Sequence, residues 1–143
     1  MSEGGINRTA GGRSLQHLID AAKALEPIRV AVADAAQSVV IETMREAPAL
    51  GFVEPSLIGD GERIKLVCKE LDWKMASDWL VPADTDVAAA KKAVELARTG
   101  YADAIMKGNL HTDVLMHAML DKNNGLRVPG QRVSHVFVTQ VST

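Results

Sequence analysis

The apolar positions Leu15, Leu18, Ile19, Ala22 and Leu25 recur at helical spacing, with Ser14 placed to cap the first turn and Pro27 stopping the run. This pattern predicts an amphipathic helix. A β-branched run over residues 28–33 then predicts a strand, followed by a helix over about 35–47 that ends near Pro48 and Gly51. The pair repeats: residues 52–58 read as a strand, Gly59-Asp60-Gly61 as a tight turn, and 62–71 as a helix. A short third strand is predicted over 77–81. Asp84 or Thr85 is then placed to cap a helix rich in Ala, Lys and Glu, which runs to about Arg98, where Gly100 supplies the C-terminal signal. A fourth strand over 101–106 runs into Lys107-Gly108-Asn109 and a helix over about 111–120. Residues 121–130, with Asn123, Asn124, Gly125, Pro129 and Gly130, read as a loop, and 133–141 as a fifth strand.

Strands alternating with helices of this length imply parallel pairing through right-handed crossovers, with helices on both faces of one sheet. The predicted fold class is therefore α/β. Residues 1–12 contain four glycines and small polar residues and read as a flexible leader, so the folded unit is taken as 13–143. An apolar strand so close to the last residue, with no helix behind it, suggests part of a larger doubly wound sheet.

Composition narrows the function. At 47% hydrophobic and 24% charged, the 143 residues bury a real core. Sixteen Lys and Arg against eighteen Asp and Glu give a net charge of -2, too balanced for a protein whose main task is gripping nucleic acid. The scattered Phe52, Trp73, Trp79, Tyr101 and Phe137 offer no stacking platform for single-stranded bases. No apolar run approaches the roughly 20 residues of a membrane span, and the opening residues lack a signal-peptide core. With Cys68 as the one cysteine, a disulfide within the chain and a cysteine-based zinc site are excluded, and a reducing cytoplasm is the expected location.

In open parallel sheets, ligands gather at the carboxyl ends of the strands, where helix N-termini present unpaired N–H groups. The richest such turn joins the apolar residues 104–106 to Lys107, Gly108 and Asn109, with Thr112 opening the next helix. Lys107 supplies a full charge, Gly108 lets backbone come close to a ligand, and Asn109 or Thr112 caps the helix, which together suit a phosphate. The same residues serve equally well as a plain turn, a cap and a solvated lysine, because no complete phosphate-loop motif is present. Gly59-Asp60-Gly61 reads as a structural turn, since Asp60 opposes an anion. His111 and His117 are not at the i, i+4 spacing that aims two ligands from one helix face, so no metal site is expected. His135, beside Ser134, is either a proton carrier or a hydrogen-bonded sheet residue. Cys68 reads as packed and inert, and Arg127 and Arg132 as a solvated basic loop or a phosphate grip.

At these residues the chain resembles the phosphate acetyltransferases and phosphate butyryltransferases, from about Leu25 onward. The segments that carry the likeness are 51–60, 102–113 with Met106-Lys107-Gly108 and His111-Thr112, and Gly125-Leu126-Arg127 leading to Ser134-His135-Val136-Phe137-Val138. The Met-Lys-Gly and Ser-His pattern is similar to the butyryltransferase branch and to the acetyltransferase domain fused to some enoyl-CoA hydratases.

The resemblance implies an α/β/α sandwich of the isocitrate/isopropylmalate dehydrogenase-like superfamily, here apparently truncated to an N-terminal portion. It implies transfer of an acetyl or butyryl group between coenzyme A and inorganic phosphate in a cleft between two domains. Acyl-CoA and phosphate or acyl phosphate are the implied partners, with coenzyme A as substrate, no required cofactor, no metal and a homodimer as the family habit. It places Lys107, Gly108, Asn109 and Thr112 on the phosphate side, and Ser134 and His135 at the start of a strand leading toward the cleft. The family's catalytic Ser-Arg and Asp residues lie in a C-terminal half that this sequence does not contain, so no catalytic residue is expected here and the chain alone is not expected to turn over. The competing readings are a non-catalytic phosphate- or coenzyme A-binding or interaction module of the same fold, and a related enzyme such as an acyl-phosphate synthase or an isocitrate-dehydrogenase-like protein.

Overall fold

The computed structural model of the chain describes residues 15–139. The expected leader over 1–12, the Ser14 cap and the last two positions of the expected fifth strand lie outside these residues. In chain order the elements are α1 (Leu15–Lys23), β1 (Ile28–Ala33), α2 (Ser38–Ala49), β2 (Val53–Gly59), α3 (Gly61–Glu70), a 3₁₀ turn (Ser77–Trp79), β3 (Leu80–Pro82), α4 (Asp86–Arg98), β4 (Ala104–Lys107) and α5 (Thr112–Met119).

The four strands form one all-parallel sheet in the order β3-β2-β1-β4. From β1 the chain steps outward through β2 to β3, then returns to the opposite side of β1. That reversal changes which face the connecting helix covers, because each crossover keeps the same hand. Successive residues of β1 point to opposite faces. Val30 and Val32 meet Val40, Ile41 and Met44 of α2 and Ile64 and Cys68 of α3. Ala31 and Ala33 face the other layer, where α4 contributes Ala89, Ala90, Ala93 and Val94 and α5 contributes Leu115 and Ala118.

Several boundaries differ from the sequence reading for identifiable reasons. The helix expected from residue 35 starts at Ser38, because residues 34–37 form a turn, buried at 34–36, in which the Ala35 amide donates to Ile58 O at 2.9 Å and the Gln37 amide to Ala35 O at 2.8 Å. Gly59-Asp60-Gly61 is a helix start rather than a separate turn: Asp60 Oδ1 accepts from the Glu62 and Arg63 amides at 3.0 and 3.2 Å, which caps α3. The third strand begins at Leu80, after the 3₁₀ turn takes up the first residues of the expected run. Thr85 caps α4 as expected, with its Oγ1 accepting from the Ala88 amide at 3.1 Å, and Gly100 takes the left-handed conformation at φ +82 just beyond it.

Two expected elements do not join the core. α1 forms, but none of its residues is buried. The expected fifth strand is absent among the described residues: 131–139 adopt no regular structure, and Val136 and Phe137 are 78% and 79% exposed. β-branched composition makes a segment suited to a strand, but a strand exists only when a neighbour supplies the hydrogen bonds.

The entry of β4 beside β1 is tied by a polar clasp. The Arg29 amide and Nε–H donate to Asp103 Oδ2 at 2.9 and 3.0 Å, and Arg29 Nη2 donates to Asp103 Oδ1 at 2.7 Å. The Asp103 amide donates in return to Arg29 O at 2.8 Å. These Arg29 hydrogen bonds hold the Asp103 carboxyl at about 2. A carboxyl whose folded value is lowered stabilises the fold above the ordinary range near ~3.9, and that contribution is lost as pH falls through the folded value. The urea midpoint of Asp103→Asn is therefore expected to lie below that of the unmodified chain at pH 6 and to meet it as the pH is taken down to about 2. The difference is expected to be small, because both side chains are exposed. A gap between the two midpoints that stays constant down to the acid limit would contradict this.

Candidate functional site

The carboxyl edge of the sheet carries the candidate site. β1 has one neighbour reached directly and one reached after the reversal, so the switch point of the topology lies between β1 and β4. Two turns meet there: Asp34-Ala35-Ala36 leaving β1, and Lys107-Gly108-Asn109 leaving β4. In the ladder, Ala33 stands opposite Lys107.

The Lys107 turn is fastened to β1 through main chain. The Gly108 amide donates to Ala33 O at 2.9 Å and the Asn109 amide to Asp34 O at 2.6 Å, while Asn109 Nδ2 reaches Ala36 O at 3.5 Å. A Cβ at 108 would overlap the Asp34 carbonyl oxygen and come within 2.7 Å of Ala33 O. Glycine is thus needed at 108 for the close approach to β1, a role different from the expected approach of a ligand. Lys107 is exposed, and its Nζ folds back onto Gly108 O at 3.3 Å.

Leu110, 5% exposed, anchors the turn in the α4/α5 core, and His111 then takes the N-cap position of α5. Its side chain makes no cap hydrogen bond. Thr112, expected as a cap, is instead the first helical residue, and Asn109 is engaged with the turn after β1. The start of α5 therefore lacks a side-chain acceptor for its first amides, although Asp113 in the same turn partly offsets the local positive end.

Sequence reasoning missed Asp34. It is 4% exposed, the one buried charged or polar residue among those described, and it sits at φ +57. Its Oδ1 accepts from the Ala36 amide at 3.2 Å. A Cβ at Gly59 would come within 3.1 Å of that oxygen, so the glycine ending β2 gives the Asp34 side chain its space, as Gly108 in the turn after β4 does for its carbonyl. Burial pushes the Asp34 carboxyl above the usual carboxylate range; the Ala36 hydrogen bond and Arg63 act the other way, and Asp86 and Asp60 reinforce the rise. The available signal was an acid standing directly after a buried apolar strand and followed by two alanines.

Ser134 and His135 are not brought to this edge by any contact among the described residues. Both are exposed in the segment beyond α5, and the His135 ring lies against Phe137 with centroids 4.2 Å apart. Arg127 and Arg132 are exposed in the same stretch. Cys68 is packed, 4% exposed, and burial pushes its thiol up, which fits an inert role. Among the described residues no group of three or more His, Cys, Asp or Glu is arranged to hold a metal ion, and no helix is long and apolar enough to cross a membrane. Cavities of about 690 Å³, beside Lys69 and Trp73, and about 620 Å³, between α4 and α5, are lined by other residues than these two turns.

No protein-family model matches the chain. A phosphate acetyltransferase of Rickettsia typhi (strain ATCC VR-144 / Wilmington) is 39% identical over 127 residues, covering 89% of this chain and 36% of that protein. The chain is related to the phosphate acyltransferases. Both branches of that group match: a phosphate acetyltransferase of Rhizobium meliloti is 37% identical, covering 87% of this chain and 39% of that protein. A phosphate butyryltransferase of Clostridium acetobutylicum is 35% identical, covering 88% of this chain and 42% of that protein. The chain thus spans about two fifths of the length of these phosphate acyltransferases. A solved structure of a branched-chain phosphotransacylase from Enterococcus faecalis V583 aligns with a TM-score of 0.48 at 24% identity, covering 68% of this chain and 33% of that one. The family resemblance read from the sequence agrees with these phosphate acyltransferase relatives.

Proposed function

We propose that this chain is the N-terminal portion of a phosphate acyltransferase and supplies the phosphate-side wall of its substrate cleft. The observation that carries the reading is the Lys107 turn, fixed to β1 at the switch point of the sheet and leading into a helix start without a side-chain cap. Lys107, swung away from Gly108 O, would meet phosphate oxygens beside the first amides of α5. In the reaction, the coenzyme A thiolate attacks the carbonyl carbon of an acetyl or butyryl phosphate. The C–S bond forms, the C–O bond to phosphate breaks, and phosphate leaves with the electron pair. A wall that holds the leaving phosphate stabilises the charge that develops on it.

On this reading Lys107, Gly108, Asn109 and Thr112 belong to the phosphate side. Ser134 and His135 belong to the cleft of the whole enzyme, and the groups that perform the transfer lie outside this chain. Coenzyme A is a substrate, no cofactor or metal is needed, and the enzyme works in the cytoplasm as a homodimer. The names of the relatives support the substrate class.

The test is calorimetry of the chain with inorganic phosphate and with coenzyme A, alongside acyl-phosphate formation from acetyl-CoA or butyryl-CoA. Phosphate binding without turnover is expected, with Lys107→Ala weakening it about tenfold, or about 1.4 kcal/mol. Equal affinity in the two chains would remove Lys107 from the site. Turnover by the chain alone would place the transferring groups within it.

A further inference from the structure

Asp34 shares the switch point with Lys107, yet no step of the proposed transfer uses it. Three observations mark it as more than a loop residue. It is the buried acid of the described fold, it holds a left-handed backbone, and the glycines at 59 and 108 both leave room for it. A non-glycine residue at positive φ is uncommon, with Asp among the residues that tolerate it, and such positions cluster where surrounding structure enforces them. Here the enforcement is visible. The left-handed turn at 34 aims two consecutive carbonyls, Ala33 O and Asp34 O, at the Gly108 and Asn109 amides, and Asp34 Oδ1 closes the turn on the Ala36 amide.

We infer that Asp34 is a positioning residue for the phosphate-side wall: its backbone and its Oδ1 bond to Ala36 hold the carbonyls that fix Gly108 and Asn109, and through them Lys107. The inference rests on the reading of that turn as a phosphate wall. Asp34 does not touch the substrate in this role. The side chain it needs is a short hydrogen-bond acceptor that tolerates left-handed backbone, a description that asparagine also meets. Burial already favours the neutral carboxyl, so neutral asparagine is a fair substitute.

The test compares Asp34→Ala, Asp34→Gly and Asp34→Asn with the unmodified chain by amide hydrogen exchange, with the Asn109 amide read against the core amide of Leu57 so that any global loss of stability cancels. Inorganic phosphate affinity is measured by calorimetry on the same four proteins. Asp34→Ala, which loses the acceptor and disfavours the backbone, is expected to speed Asn109 exchange relative to Leu57 by about tenfold and to weaken phosphate by a similar factor. Asp34→Gly, which keeps the backbone and loses the acceptor, is expected to fall between. Asp34→Asn is expected to restore both quantities. If Asn109 exchange in Asp34→Ala merely follows Leu57, or if Asp34→Asn behaves like Asp34→Ala, Asp34 is not the positioning residue. If the unmodified chain binds no phosphate while the exchange pattern appears as expected, the phosphate-wall reading fails and the control of the turn by Asp34 stands.

Discussion

Gly108→Ala is expected to lower the unfolding free energy by about 3 kcal/mol, the range seen when a tightly packed site is forced to accept extra atoms. The new methyl group would overlap the Asp34 carbonyl oxygen, and that oxygen is main chain, so no side-chain rotation relieves the overlap. Moving the turn outward breaks the bonds from the Gly108 amide to Ala33 O and from the Asn109 amide to Asp34 O. Gly108 is itself buried, so its amide would lose its partner without meeting bulk water. For a chain of this length the loss corresponds to a fall of about 10 °C in Tm. Urea unfolding followed by far-ultraviolet circular dichroism reads it directly, and phosphate binding should disappear with it. An alanine variant as stable as the parent would mean that the turn stands farther from β1 than described.

Ile58→Ala is expected to cost more, about 4 kcal/mol, toward the upper end for buried aliphatic truncations. Ile58 is fully buried on β2 and belongs to the core cluster on the α4/α5 side, most of whose buried members are alanines, among them Ala31, Ala33, Ala89, Ala90 and Ala93. Alanine has no rotamer with which to fill a void, so the cavity stays open and the cost stays high. Leu57 makes the contrast. It is equally buried but points to the other layer, among Ile41, Met44 and Ile64, whose longer side chains can lean into the space. Leu57→Ala is therefore expected to cost less than Ile58→Ala in the same urea experiment. The reverse order would show that the alanine layer relaxes by moving whole helices.

The sheet and its helices were readable because their signal is periodic. β1 was bounded correctly at both ends by its own composition, and the parallel pairing followed from the alternation of strand and helix. What composition does not contain is the partner. The segment around Val136 and Phe137 has every local feature of a strand and lies outside the sheet among the described residues, and α1 has an apolar stripe of which no residue is fully buried. Both depend on what stands beside them, which one chain's periodicity does not record.

At the site, Lys107 and Gly108 were legible as a basic turn at the end of a strand, but the reason for the glycine was not. Its constraint comes from the carbonyls of a turn distant in sequence, and only the fold brings them together. Asp34 was passed over for the same reason: a single acid after an apolar run looks like a solvated turn residue until its burial is known.

The contact between Gly108 and the carbonyls of β1 also bears on which sequence changes are open to this protein over time. A side chain at 108 becomes admissible only after the turn at 34 has been rebuilt so that its carbonyls point elsewhere, and a rebuilt turn at 34 releases the amides that glycine now serves. Each change is harmful on the background of the other's present state. The two positions are thus expected to drift as a pair, and a chimera that takes one strand from a distant relative without the other would inherit an incompatibility that neither parent carries.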